Sequence, residues 1–266
     1  MTESYSLHQG STPLLISMPH NGQAIPNDIA ANMTADGLAV RDTDWHLDKL
    51  YDFAEAMGAS IIAPKYNRYV IDLNRNPKGV NLYPGANSTE LCPTSAFDLS
   101  PLYVDGKVPS SAEIERRVEL YWQPYHQALA NELAAIKQKF GGAVLLEAHS
   151  ILSHVPRFFD GRLPDFNFGS ADGKSCAPTL IEQVEAINFA PYSQVTNGRF
   201  KGGYITRTYG NPEQNIHALQ LELSQITYMD EQSLSYSSSR AEQVQPKLKS
   251  LVSALIAFGA QISRNK

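Results

Sequence analysis

With 266 residues and 42% apolar residues the chain can bury a substantial core, and since no linker interrupts its pattern one domain over 1–266 is expected. Lys and Arg number 22 against 27 Asp and Glu, a formal charge of -5 with no basic run, which argues against nucleic acid as a partner while leaving local arginines free to receive small anions. Two cysteines are too few for a disulfide framework or a zinc knuckle, no run approaches the ~18 apolar residues of a membrane-spanning helix, and residues 1–5 lack the character of a signal peptide, so a cytoplasmic protein is expected, with no membrane association.

Pro13-Leu14-Leu15-Ile16-Ser17-Met18 predicts a first buried strand, stopped by Pro19. His20-Asn21-Gly22 follows at once, with a glycine that would let the backbone turn sharply and approach a ligand. Apolar positions at 47, 50, 51, 53 and 54 predict an amphipathic helix over 42–54 that ends at Gly58. Asp42 suits the entrance of that helix as a cap, whereas Asp44, His46 and Asp48 exceed what capping requires. Asp44 and Asp48 would share a face, so that one could serve as a ligand while another orients a histidine. Residues 59–64 and 69–73 predict the next two strands, with Arg68, Asn74 and Arg75 between and after them. An arginine there offers a planar fork to a carboxylate or simply pairs with Asp72. The Pro-, Asn- and Ser-rich stretch 76–108 is too long for a mere connection and predicts an active-site or oligomer-contact loop.

Ser110-Ser111-Ala112-Glu113 opens a capping-box pattern, and helical spacing runs to about Phe140, interrupted only by Pro124. Two consecutive helices or one kinked helix are expected, with His126 structural or on the surface. Gly141-Gly142 then introduces Ala143-Val144-Leu145-Leu146-Glu147-Ala148-His149-Ser150, a strand buried on both faces whose end carries polar chemistry. A lone histidine at a strand end is as readily satisfied by a backbone carbonyl. His20 and His149 on two strands are harder to explain that way. Residues 158–169 mix aromatics, charges and turn residues without period, as binding loops do. A helix over 178–188 precedes the cationic, glycine-rich segment 197–207, which either grips an anion with Lys201 and Arg207 or turns as a hairpin with solvated charges. Residues 217–223 predict the last strand, where Glu222, flanked by leucines, must point to solvent or be held in a site. The tail over 230–262 is helical by period and should cover the sheet.

Strand ends thus supply His20, His149 and Glu222, the predicted helix start supplies Asp44, and Arg68, Asn74 and Arg75 stand past another strand. Two imidazoles and one carboxylate with an open position form a common catalytic zinc set. Glu222 would then act as general base while an arginine stabilises the developing oxyanion.

Six blocks in order, Ser17-Met18-Pro19-His20-Asn21-Gly22, Asp42-Thr43-Asp44-Trp45-His46, 68–75 with its Asp-Leu-Asn-Arg, Glu147-Ala148-His149-Ser150, Gly161-Arg162-Leu163-Pro164-Asp165 and Leu221-Glu222-Leu223, resemble the N-formylglutamate amidohydrolase family over about residues 12–230. That family is similar to the zinc carboxypeptidases and succinylglutamate desuccinylase. The resemblance implies a three-layer α/β/α fold with a central mixed sheet, one zinc ion held by His20 and His149, Arg68 as polarising group, Asn74 and Arg75 as carboxylate clamp, and Glu222 as base. The carboxypeptidase pattern puts a glutamate three residues after the first histidine, where this chain has Gln23, a poor zinc ligand. Asp44 is therefore the expected third ligand, with His46 and Gln23 behind it. Lys201 and Arg207 are candidates for a second substrate carboxylate. The implied reaction is hydrolysis of N-formyl-L-glutamate to L-glutamate and formate in histidine degradation, on a small dicarboxylate partner and compatibly with a homo-oligomer. The same plan would serve a deacylase of another N-acyl amino acid or a carboxypeptidase-like hydrolase, and without catalysis the arginines would still bind a dicarboxylate.

Overall fold

A computed structural model describes residues 4–80 and 88–264. Strands β1 (Tyr5–His8), β2 (Leu14–Ser17), β3 (Ser60–Pro64), β4 (Ala143–Ile151), β5 (Phe166–Gly169), β6 (Gln194–Thr196) and β7 (Ile216–Ser224) form one sheet in the order β1-β3-β2-β4-β7-β5-β6. The pairs β2/β3, β2/β4, β4/β7 and β5/β6 are parallel, whereas β1/β3 and β5/β7 are antiparallel, so the sheet is mixed.

Side chains alternate across a strand, and both faces of the central strands find apolar cover. Leu14, Ile16, Val144, Leu146, Leu219, Leu221 and Leu223 pack with Leu248, Val252 and Leu255 of the C-terminal helix Ser238–Arg264. Leu15, Leu145 and Ala218 face the other way, toward Tyr125, Leu129 and Leu133 of the helix Gln123–Phe140. The result is the expected α/β/α arrangement. Among the described residues no helix is long and apolar enough to cross a membrane, and Cys92 and Cys176 are buried free thiols.

Several elements differ from expectation for local reasons. Residues 69–73 form no strand: Asn67 Oδ1 accepts from the Tyr69 N–H at 2.9 Å and Asp72 Oδ1 from the Asn74 N–H at 2.9 Å, side-chain bonds that hold a turn in place of a ladder. The predicted helix over 42–54 begins only at Leu47, because His46 takes a left-handed φ of 60° and breaks the phase. Asp48 is consequently exposed while Asp44 is buried. Residues 229–236 make a small hairpin (Met229–Asp230 with Ser235–Tyr236) before the last helix starts. Strands β1, β5 and β6 are too short for alternation to reveal them, and β5 lies inside the stretch expected to be irregular.

The helix Ser111–Arg117 is capped by Ser110, whose Oγ accepts from the Glu113 N–H at 3.3 Å. It runs through a wide π turn at Val118–Trp122 straight into Gln123–Phe140. This rod anchors the turn that carries Arg68, Asn74 and Arg75: Arg117 Nη1 donates to the Val70 carbonyl at 3.0 Å, His126 Nε2 to that of Leu73 at 2.8 Å and Trp122 Nε1 to that of Arg75 at 3.1 Å. His126 is thus structural, its ring stacked on Trp122 at 3.6 Å and its pKa lowered by burial to about 4.

Candidate metal centre and cleft

On the face covered by the helix Gln123–Phe140 the sheet turns polar toward its carboxyl end. The parallel register of β4 and β7 sets Glu147 opposite Gln220 and His149 opposite Glu222. β2 delivers His20 three residues past its end. Asp44 reaches the same place from the loop before Leu47, its N–H donating to the His20 carbonyl at 3.0 Å.

His20, Asp44 and His149 each offer a ligand atom, all within 4.8 Å of one another, and all three residues are buried. Asp44 Oδ2 lies 2.9 Å from His149 Nδ1 and 3.9 Å from His20 Nδ1, and it also accepts from the Ser150 N–H at 3.1 Å. On the far edge of each ring stands a second carboxylate, Asp72 Oδ1 at 2.7 Å from His20 Nε2 and Glu147 Oε1 at 2.7 Å from His149 Nε2. A carboxylate can only accept, so each ring donates from Nε2 to its outer carboxylate and turns Nδ1 toward Asp44; without a metal ion His149 also donates from Nδ1 to Asp44, a proton that a bound ion would displace. Oriented imidazole lone pairs beside one carboxylate are a donor set that suits a divalent ion.

The charges are arranged to match. Burial, helped by Arg68, favours the neutral His20 ring and lowers its pKa, although Asp72 and Asp44 pull the other way. For Asp72 the penalty of burial is outweighed by His20, Arg68 and Arg75, holding the carboxyl well below its usual range. Burial opposes charge on His149, but Glu147 and Asp44 raise its pKa well above the ordinary value. Burial dominates at Glu222 and pushes it up to about 8, with His149 and Arg68 opposing and Asp44 and Glu147 adding.

A cleft opens over this cluster, lined by Glu222, Asn74, Arg75, Arg199, Phe97 and Phe158 among others. Arg68 also lines it but is engaged, Nη2 donating to Asp72 Oδ2 at 2.8 Å and Nη1 standing 3.8 Å from Asp44 Oδ1. Asn74 Oδ1 accepts from the Ile205 N–H at 2.9 Å, which leaves its Nδ2 3.0 Å from His149 Nε2. Gly203 makes room for that amide, since a Cβ there would strike the Asn74 side chain. Arg75 Nη2 donates to Thr89 Oγ1 at 3.2 Å, while its buried Nε has no hydrogen-bond partner among the described residues.

Seven of the expected site residues, His20, Asp44, Arg68, Asn74, Arg75, His149 and Glu222, therefore come together. Lys201 and Arg207 do not join them: Lys201 pairs with Asp172 at 3.1 Å on the surface, and Arg207 Nε donates to the Gly202 carbonyl at 2.8 Å. Segment 197–207 is not a hairpin either, because it passes into the helix Tyr204–Tyr209. Of the alternatives to Asp44, Gln23 is exposed and His46 Nε2 bonds the Leu234 carbonyl at 2.9 Å. Gly22 serves a close approach to the Tyr66 backbone instead of a ligand. From the loop 76–108, Ser88 and Phe97 line the cleft, whereas 81–87 lie outside the described residues.

A family profile described as N-formylglutamate amidohydrolase matches residues 12–229. The chain belongs to that family. It is 50% identical to an N-formylglutamate deformylase of Pseudomonas aeruginosa over 98% of this chain and 99% of the relative. A Pseudomonas putida protein of the same name is 47% identical, with 98% of each covered. Among solved structures, the N-formylglutamate amidohydrolase of Ralstonia eutropha superposes with a TM-score of 0.80 at 26% identity, covering 98% of this chain and 99% of that one.

Proposed function

We propose that this member of the family hydrolyses N-formyl-L-glutamate to L-glutamate and formate at a single metal centre, with zinc as the ion, held by His20, Asp44 and His149. The observation that carries the reading is the pair of imidazoles, each fixed at Nε2 by its own carboxylate and converging through Nδ1 on Asp44, beside a buried glutamate and under a cationic cleft. A divalent ion bound there supplies Lewis acidity, polarising a carbonyl and acidifying water.

The protein groups divide the remaining work. Glu222 takes a proton from the attacking water as its oxygen bonds to the formyl carbon, and returns it to the glutamate nitrogen as the C–N bond breaks. Burial holds Glu222 protonated, and the added positive charge of the loaded centre favours the carboxylate form that the first transfer needs. Arg68, fixed by Asp72, lends positive potential where the carbonyl oxygen gains charge. Asn74 and Arg75 receive the carboxylate next to the scissile amide, a pairing that a planar guanidinium makes in two hydrogen bonds.

The test is metal content by elemental analysis alongside formate release from N-formyl-L-glutamate, with and without a chelator. The reading requires about one divalent ion per chain and formate release that a chelator stops and zinc restores. Formate release unaffected by complete metal removal would overturn the metal centre, and a metal-loaded protein inert toward N-formyl-L-glutamate would overturn the substrate.

A further inference from the structure

N-formyl-L-glutamate carries a second carboxylate at the end of its side chain, and neither Lys201 nor Arg207 lines the cleft to receive it. We propose that Arg199 is the specificity-determining residue that holds this side-chain carboxylate. The inference rests on the reading of the cleft as an N-formylglutamate site and adds the residue that distinguishes glutamate from other amino acids.

Arg199 lines the same cleft as Glu222 and Arg75, and its orientation is fixed without spending its charge. Its Nε donates to the Phe158 carbonyl at 2.6 Å, a neutral acceptor. Its guanidinium carbon lies 6.0 Å from the Phe158 ring centre and 5.4 Å from that of Phe200. Among the described residues no carboxylate pairs with it, and its two terminal nitrogens carry no hydrogen bond. A fork held at Nε presents those terminal N–H groups side by side, the geometry that takes a carboxylate in two bonds.

The other arginines of the cleft are not equivalent. Arg68 is occupied by Asp72 and Asp44, and Arg75 stands beside Asp72 and Asn74, close to the reacting end. Arg199 instead belongs to an aromatic wall in which Phe97 and Phe158 meet edge to face at 4.9 Å, backed by buried Ile151 and Leu163. Such a wall suits the two methylenes of a glutamate side chain, and its low dielectric strengthens the ion pair at the chain's end. A neutral side chain in the same place would leave Arg199 desolvated and unpaired, which disfavours it.

The experiment compares kcat/KM for N-formyl-L-glutamate and N-formyl-L-glutamine, nearly isosteric but neutral at the side-chain end, in the wild type, Arg199→Leu, Arg199→Lys and Arg75→Leu. Arg199→Leu should lower kcat/KM for the glutamate derivative by about a hundredfold or more without lowering that for the glutamine derivative, because the leucine removes the unpaired charge together with the ion pair. Retained turnover of the neutral substrate also shows that the variant is folded and metal-loaded. Arg199→Lys should recover part of the lost discrimination, and Arg75→Leu should depress both substrates alike, because they share the carboxylate beside the amide. Equal losses on both substrates in Arg199→Leu, or unchanged discrimination, would overturn the proposal while wild-type turnover of N-formyl-L-glutamate keeps the reading of the cleft. No formate from either substrate with wild-type protein would overturn that reading and the proposal with it.

Discussion

Replacing Glu147 by glutamine changes one oxygen to an amide nitrogen in a residue with no exposed surface, so its effect isolates the carboxylate behind His149. In the wild type Oε2 accepts from the Thr206 N–H at 2.9 Å and from the Thr206 hydroxyl, while Oε1 faces His149 Nε2 at 2.7 Å. A glutamine can keep its oxygen on the two Thr206 donors only by turning its NH2 toward His149. Asn74 Nδ2 already stands 3.0 Å from the same nitrogen, so two donors would then favour Nε2 as an acceptor. The ring's proton moves to Nδ1, the atom a metal ion needs. Loss of such a supporting carboxylate commonly weakens metal binding 10- to 100-fold, about 1.4–2.7 kcal/mol, and the reversed tautomer places Glu147→Gln at the upper end of that range. Competition titration of the metal-free protein against a chromogenic chelator measures the zinc dissociation constant directly, without turnover. A constant within twofold of the wild type would refute the assignment of Nδ1 as the ligand atom and of Glu147 as its support.

The same titration applied to Asp44→Asn should show at least a tenfold weaker zinc constant, and full zinc retention after dialysis would remove Asp44 from the ligand set. Gly203→Ala should lower kcat/KM for formate release by about tenfold or more, since the new methyl displaces the Asn74 amide; undiminished activity would show that Asn74 need not stand where it does. Glu113, held down to about 2 by Arg116 and Arg117 against partial burial, contributes stability that is fully present above its ordinary value of 4.5 and is lost as pH falls from there toward 2. In metal-free protein the melting temperature of Glu113→Gln should therefore lie below the wild type by ~2–4 °C at pH 6, on the order of 1 kcal/mol for a partly screened pair, with the gap closing below pH 4. A gap independent of pH between 3 and 6 would argue against it.

What the sequence discloses here follows length and burial. β4 and β7 are nine residues each, long enough for an apolar pattern to announce them and for the acids within it, Glu147 and Glu222, to stand out. Alternation along them also fixes which groups share a face, and the parallel register then brings His149 to Glu222. Asp44 is a different case: it arises in the sequence as a helix-start acid, and it reaches the centre because the left-handed turn at His46 delays the helix. Arg199 was hidden by its neighbours. In a run containing Arg199, Lys201 and Arg207 no periodicity tells which cation turns inward, and the choice depends on Phe158, 41 residues before Arg199, whose carbonyl takes the Arg199 Nε bond, and on the Phe200 ring beside the guanidinium. Residues 69–73 have strand composition without strand structure, because Asn67 and Asp72 offer their backbone neighbours a local alternative.

The π turn at Val118–Trp122 gives the site a particular sensitivity. One extra residue in a helical turn advances everything after it by ~100°, which lets Arg117 before the turn, Trp122 at its end and His126 after it address the same strip of chain. Deleting a single residue there would leave a more regular helix with every anchoring side chain still present in the sequence. Yet the carbonyls of Leu73 and Arg75 would lose their donors together, and the two residues that carry the clamp would be released as one unit. For this enzyme, spacing within that helix sets the position of the clamp as directly as the identity of any residue in the cleft.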